Sequence, residues 1–222
     1  MIQAIIMDIG GVVAPDIWEQ LFFSESRISS LSHFPRSTLL RVGRKNFSLF
    51  AYRRWNRSNS WQALERAYWA SVSADLGIKL DAAEIENKTT AVIQPLLDLS
   101  KIKEFSSASG LRVVFCSNDT PFWYYRNWTA LNWGDSYSSE DFVMSFDFGQ
   151  SKQHPRSELF KACAEVLKTA AGSTLFIDNQ LDNLRSARRF GFRTLHFQSE
   201  FARNNMEALI SKMAQVTGDQ HG

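Results

Sequence analysis

The chain is poor in the residues that build covalent or metal-held frameworks. Two of its 222 residues are cysteine, Cys116 and Cys163, and each lies inside an apolar stretch. There is no C-x-x-C or C-x-H pattern, which excludes a disulfide scaffold and a zinc site and reads the pair as buried thiols of a reducing compartment. The four histidines, His33, His154, His196 and His221, show neither i, i+4 pairing nor ligand spacing. No apolar run reaches 18 residues, so a membrane-spanning helix is excluded. The first residues lack a basic segment, an apolar core and a small-residue cleavage site, so no secretory signal is read and the cytoplasm is the expected location. Internal repeats and low-complexity tracts are also missing.

Acidic residues are missing from one stretch. Between Arg27 and Arg57 lie Arg36, Arg41, Arg44, Lys45, Arg53 and Arg54, with no Asp or Glu among them, although the whole chain carries only +2. Such a block is a local positive field that suits anionic ligands, or a solvated helical face. Nucleic-acid binding through it is the lesser reading.

What is present is a core. Hydrophobic residues make up 44% of the chain, enough to bury a substantial interior. Short apolar runs at 2–7, 111–117, 173–178 and 193–197 read as strands apolar on both faces, as in a parallel sheet. Between them lie helical patterns. Residues 157–170 place Leu159, Cys163, Val166 and Leu167 on one stripe, with Ser157 as the expected N-cap. Residues 181–191 end at Gly191, the expected C-cap. Strands alternating with helices predict an α/β fold, a doubly wound Rossmann-like parallel sheet.

The stretch from 15 to 95 breaks that rhythm. Trp61, Leu64, Tyr68, Val72 and Leu76 fall on one helical face that stops at Gly77, and 36–55 and 81–94 read as further helices. The expected organisation is therefore an α/β core of residues 1–14 and 96–222, with an all-helical cap of residues 15–95 inserted after the first strand.

In open α/β sheets, ligand sites form at the carboxyl ends of strands. Those ends carry Asp8 in MDIGGVV, Ser117 and Asn118 in VVFCSND, and Asp178 and Asn179 in FIDNQLDN, with Lys152 in the intervening GQSKQHP. Taken singly, each is ordinary turn or capping chemistry. In this order they resemble the four motifs of the haloacid-dehalogenase-like hydrolase superfamily, and more closely its D-x-G-G/N-V phosphatase branch, the glucose-1-phosphatase-like members and the N-terminal phosphatase of soluble epoxide hydrolase.

That resemblance implies a Mg²⁺-dependent hydrolase acting on a small phosphorylated substrate, a sugar phosphate or nucleotide. Asp8 would be the nucleophile, with Ser117 and Lys152 completing the catalytic set. Asp8, Gly10 through its carbonyl, Asp178 and Asn179 would hold the metal. Gly11, Asn118, Arg54 and Trp55 are expected at the substrate. An aspartate nucleophile splits one hard displacement into two easier ones, and a dication offsets the repulsion between two anions.

Two positions depart from the fuller pattern. Gly10 stands where many members carry a second Asp that serves as general acid and base. The replacement candidates are Asp16, Asp119, His33 and solvent. Asn179 stands where many carry a metal-binding Asp, so weaker Mg²⁺ affinity is expected. The cap is rich in Trp18, Phe22, Phe23, Phe47, Phe50, Tyr52, Trp61 and Trp69, and TPFWYYRNW follows Ser117 closely. These aromatics read as cap–core packing or as a pocket for an aromatic phosphate ester. The alternatives are a catalytically weak member that binds a phosphorylated ligand or protein partner, and a metal-independent 2-haloacid dehalogenase, against which Asp178 argues.

Overall fold

The computed structural model describes residues 1–57 and 59–197, and residues 211, 213 and 215 beyond them. His221 and the end of the segment assigned through 222 lie outside the described residues. Five parallel strands form one sheet in the order β3-β2-β1-β4-β5: β1 (Ala4–Met7), β2 (Arg112–Ser117), β3 (Phe142–Met144), β4 (Thr174–Asp178) and β5 (Arg193–His196). This is the doubly wound α/β fold expected from the sequence. The one strand missed, β3, spans three residues, too few for any pattern to reveal.

Strand side chains alternate between two cores, as the two-residue period of a pleated strand demands. Ile5, Met7, Val113, Phe115, Leu175 and Ile177 pack on one face, beside the helix α5 (Leu99–Ala108) and α6 (Pro121–Ala130). Ala4, Ile6, Val114, Cys116 and Phe176 pack on the other, under α8 (Glu158–Leu167) and α9 (Leu181–Phe190). Helices on both faces explain why the strands read as continuous apolar runs. Both cysteines are buried and unbridged.

The segment between β1 and α5 is helical among its described residues: α1 (Ile17–Phe23), a 3-10 turn (Ser29–His33), α2 (Arg36–Ala51), α3 (Trp61–Leu76) and α4 (Ala82–Val92). These helices bury a third cluster of their own, centred on Leu21, Phe22, Leu39, Val42, Tyr68 and Val72. Phe122 and Trp123 of α6 join it and tie it to the sheet layer. Gly77 caps α3 in the left-handed region at φ +67, as its sequence position suggested.

One expected cap is corrected. Ser157 precedes α8 but adopts φ +54 and makes no side-chain hydrogen bond, so it does not act as an N-cap. Gly191 ends α9 as expected. Of the three tryptophans between 123 and 133, Trp123 and Trp133 are buried and Trp128 is partly so, which makes them packing residues.

Candidate active site

β1 ends at Met7, and the chain turns sharply at once. The amides of Val12, Val13 and Ala14 all donate to the Ile9 carbonyl, and Gly11 donates to that of Ala14 at 2.7 Å. Gly11 adopts φ +78, a conformation L side chains rarely take, and a Cβ there would stand 2.2 Å from Asn179 Nδ2. Glycine is therefore required at 11 on two counts. It lets the β1 loop lie against the β4 loop, just beyond the strand pairing that sets Asp8 beside Asp178.

Lys152 ties these carboxylates together. Its Nζ lies 2.7 Å from Asp8 Oδ1 and 2.7 Å from Asp178 Oδ2. All three side chains are almost wholly buried, at 5%, 0% and 1% exposure for Asp8, Asp178 and Lys152. The remaining partners fix the set. Asp8 Oδ1 also accepts the Ile9 amide at 2.8 Å. Asp178 accepts from the Gln180 amide at 2.7 Å and from Asn183 Nδ2. Asn118 Oδ1 accepts the Lys152 amide at 2.8 Å, holding the lysine loop against β2. Gln153 bridges Asn118 to Asn183.

A buried cluster of two carboxylates and one ammonium carries unequal charge, and its titration reflects that. Burial and the Asp178 charge push Asp8 up to about 7, against the pull of Lys152. Burial opposes the Lys152 charge, but Asp178 and Asp8 more than offset this and hold its proton more tightly than usual. Asn179 Oδ1 is buried and has no hydrogen-bond partner, and its carbonyl meets His196 Nε2 at 3.1 Å.

Above this cluster lies a cavity of about 520 Å³ between the strand ends and the inserted helices. Its floor includes Gly10, Ser117, Asn118 and Asp119. Its walls include Trp18, Phe47, Tyr52 and Trp123, with Arg44 at the rim. Phe47 stacks on Trp123 with centroids 6.1 Å apart and meets Tyr52 edge-on. Burial drives Tyr52 up to about 12, and its hydroxyl lies within electrostatic reach of Lys152, Asp119 and Asp8.

Asp8, Gly10, Gly11, Ser117, Asn118, Lys152, Asp178 and Asn179 are thus brought to one corner of the sheet. Arg54 and Trp55 are not. They line a separate groove with Leu49 and Phe50. The Trp55 amide donates to the Phe146 carbonyl, and its ring packs on Tyr125 and Phe146. Arg54 Nε reaches the Phe148 carbonyl at 3.4 Å. Both residues dock the loop after α2 onto α7 (Ser145–Phe148), and neither lines this cavity, where they were expected. His154 is a loop residue whose Nδ1 accepts the Arg156 amide. Gln153 went unread in the sequence, although its place beside Lys152 was the available signal. Arg44 and Trp18 could not be singled out from many similar residues.

Solved structures share this architecture from end to end. A HAD family enzyme from Bacteroides thetaiotaomicron, in complex with magnesium and inorganic phosphate, aligns with a TM-score of 0.57 over 94% of this chain and 99% of that one, at 16% identity. A predicted HAD-like family hydrolase from Porphyromonas gingivalis gives 0.55 over 97% and 98%, at 16% identity. An L-2-haloacid dehalogenase from Xanthobacter autotrophicus gives 0.56 over 97% and 83%, at 19% identity.

The fold is the HAD fold. Identities this low speak for the fold alone. No family sequence model matches the chain, and no curated protein matches it by sequence. Within this fold, Lys152 bridges Asp8 and Asp178 at the ends of β1 and β4, and Ser117 at the end of β2 lines the neighbouring cavity.

Proposed function

We propose that the protein hydrolyses a small phosphate monoester through a phosphoryl group carried transiently on Asp8. The observation that carries this reading is the buried bridge from Lys152 to Asp8 and Asp178, beside a cavity lined by their chain neighbours Ile9, Gly10, Gln153 and Gln180 together with Ser117 and Asn118. Lys152 supplies a fixed positive charge, and Ser117 offers a hydroxyl from the neighbouring strand end. Pre-set donors of this kind stabilise the charge that spreads over the phosphoryl oxygens in the transition state. Residues 15–95 act as a cap that walls the cavity and excludes water.

The residues also fit Mg²⁺. A hard dication takes oxygen donors, and Asp8, Asp178, the Gly10 carbonyl and Asn179 offer them. The unpartnered, buried Asn179 Oδ1 is an acceptor the protein itself leaves unused. Among the described residues, no three His, Cys, Asp or Glu side chains gather as a metal cluster. When bound, the metal would neutralise the repulsion between Asp8 and the phosphate and polarise its oxygens. The neighbour from Bacteroides thetaiotaomicron, seen with magnesium and phosphate, adds support.

One observation favours a second reading, carbon–halogen hydrolysis. Lys152 alone contacts both carboxylates, so their charge is partly balanced by the protein. A single assay separates the two: hydrolysis of 4-nitrophenyl phosphate and of a 2-haloacid, each with and without EDTA. Phosphate release that EDTA and Asp8→Asn both abolish is the expected result. Halide release insensitive to EDTA would sink the phosphatase reading.

A further inference from the structure

Breaking the P–O bond of an unactivated ester leaves an electron pair on the departing oxygen, which must gain a proton. The buried cluster cannot supply it. Asp8 is committed to bonding phosphorus, the Lys152 ammonium is held by two carboxylates, and Asp178 accepts from Gln180, Asn183 and Lys152. Two carboxyl groups remain among the residues that line the cavity, Asp16 and Asp119.

Position 10 distinguishes them. A Cβ built on Gly10 would stand 3.9 Å from Asp16 Cα and 4.0 Å from both its Cβ and its Cγ. A side chain at 10 would therefore begin in van der Waals contact with Asp16, whose carboxyl carbon lies 4.0 Å from that Cβ position. Gly10 lies two residues beyond Asp8 in the same tight turn. Asp16 also caps α1, its Oδ1 accepting the Glu19 amide at 3.1 Å, which fixes the carboxyl at the cavity wall. Asp119 follows β2 instead and is not among the nearest atoms to a Cβ at position 10; its Oδ1 accepts the Thr120 amide at 2.7 Å.

We infer that the Asp16 carboxyl, standing beside the side-chain position that Gly10 leaves empty, passes the proton in both halves of the reaction. This rests on the phosphatase reading. In the first half, an Asp8 oxygen bonds phosphorus as the ester P–O bond breaks, and Asp16 gives its proton to the leaving oxygen. In the second, water adds to phosphorus, its proton passes to the Asp16 carboxylate, and the bond from phosphorus to Asp8 breaks to give inorganic phosphate.

The test is Asp16→Asn, because Asn caps a helix as well as Asp does and leaves α1 its first turn. With 4-nitrophenyl phosphate, whose leaving group needs little protonation, the rapid first-turnover burst of nitrophenol should persist while steady turnover falls by about 10²–10⁴-fold. With glycerol phosphate the burst itself should be lost. The double variant Gly10→Asp, Asp16→Asn should recover turnover on both esters, since a Cβ at 10 meets only ordinary contacts. Circular dichroism confirms that each variant is folded. Equal loss of burst on both esters, unchanged turnover, failure of the folded double variant to recover, or the same signature in Asp119→Asn would overturn the inference. A wild-type protein that cleaves neither ester, by contrast, would remove the phosphatase reading itself.

Discussion

Gly11 shows how much one residue can decide. A Cβ there would meet Asn179 Nδ2 at 2.2 Å, on a backbone already at φ +78. Gly11→Ala should cost about 1–2 kcal/mol from left-handed strain alone, plus the displacement of Asn179. Urea unfolding would show the loss, and an unchanged midpoint would contradict the geometry. Asn179 invites the opposite change. Its buried Oδ1 is a neutral, unpartnered oxygen. Asn179→Asp adds a charge where a hard cation would sit, so Mg²⁺ should bind more tightly by calorimetry. Weaker or equal affinity would show that Asn179 does not face the metal.

At the scale of elements, α6 holds the inserted helices to the sheet. Arg126 reaches from α6 to Glu65 on α3, with Nη2 and Oε2 2.8 Å apart and Nε bonded to both carboxylate oxygens. A second branch reaches Glu86 on α4. Glu65 is buried and Glu86 is mostly exposed. Arg126→Met strands the Glu65 charge in the interior and should cost about 3–5 kcal/mol. Glu86→Gln should cost less than about 1 kcal/mol. Thermal unfolding of the two variants should separate them clearly, and similar shifts would mean that the Glu65 contact carries no special weight. Arg57 plays a related part at the far end of the insertion, where it grips Asp147 of α7 through two bonds of 3.0 and 2.6 Å.

At the scale of the whole molecule, the cavity lies between two layers with separate apolar clusters. A ligand held there contacts both, so binding should stabilise the folded chain against unfolding. With Mg²⁺ and inorganic phosphate each at 100 times its dissociation constant, the gain should be about 2.7 kcal/mol per ligand. Differential scanning calorimetry would read this as a rise in Tm that chelation reverses. A Tm indifferent to both additives would argue against an anion and metal site. Among the described residues no helix is long and apolar enough to cross a membrane, as the lack of long apolar runs led one to expect.

The sheet and the motif residues were legible because each rests on local pattern. Continuous apolar runs are the mark of strands covered on both faces, and Asp8, Ser117 and Asp178 were marked by lying at the ends of such runs. Lys152 was marked only by the resemblance, since its loop has no periodicity. Ser157 could not be read as capless because its left-handed backbone at φ +54 is not announced by its residue type, and β3 could not be read because three residues are too few for a pattern. Nor could Arg54 and Trp55 be told from Arg44 and Trp18. All four sit in a stretch dense in basic and aromatic residues, and which of them face the cavity depends on how the helices pack against α6 and α7. Asp16 is the sharpest case. The sequence determined that position 10 has no side chain, but only the fold brought a carboxyl from six residues further on to within contact of that position.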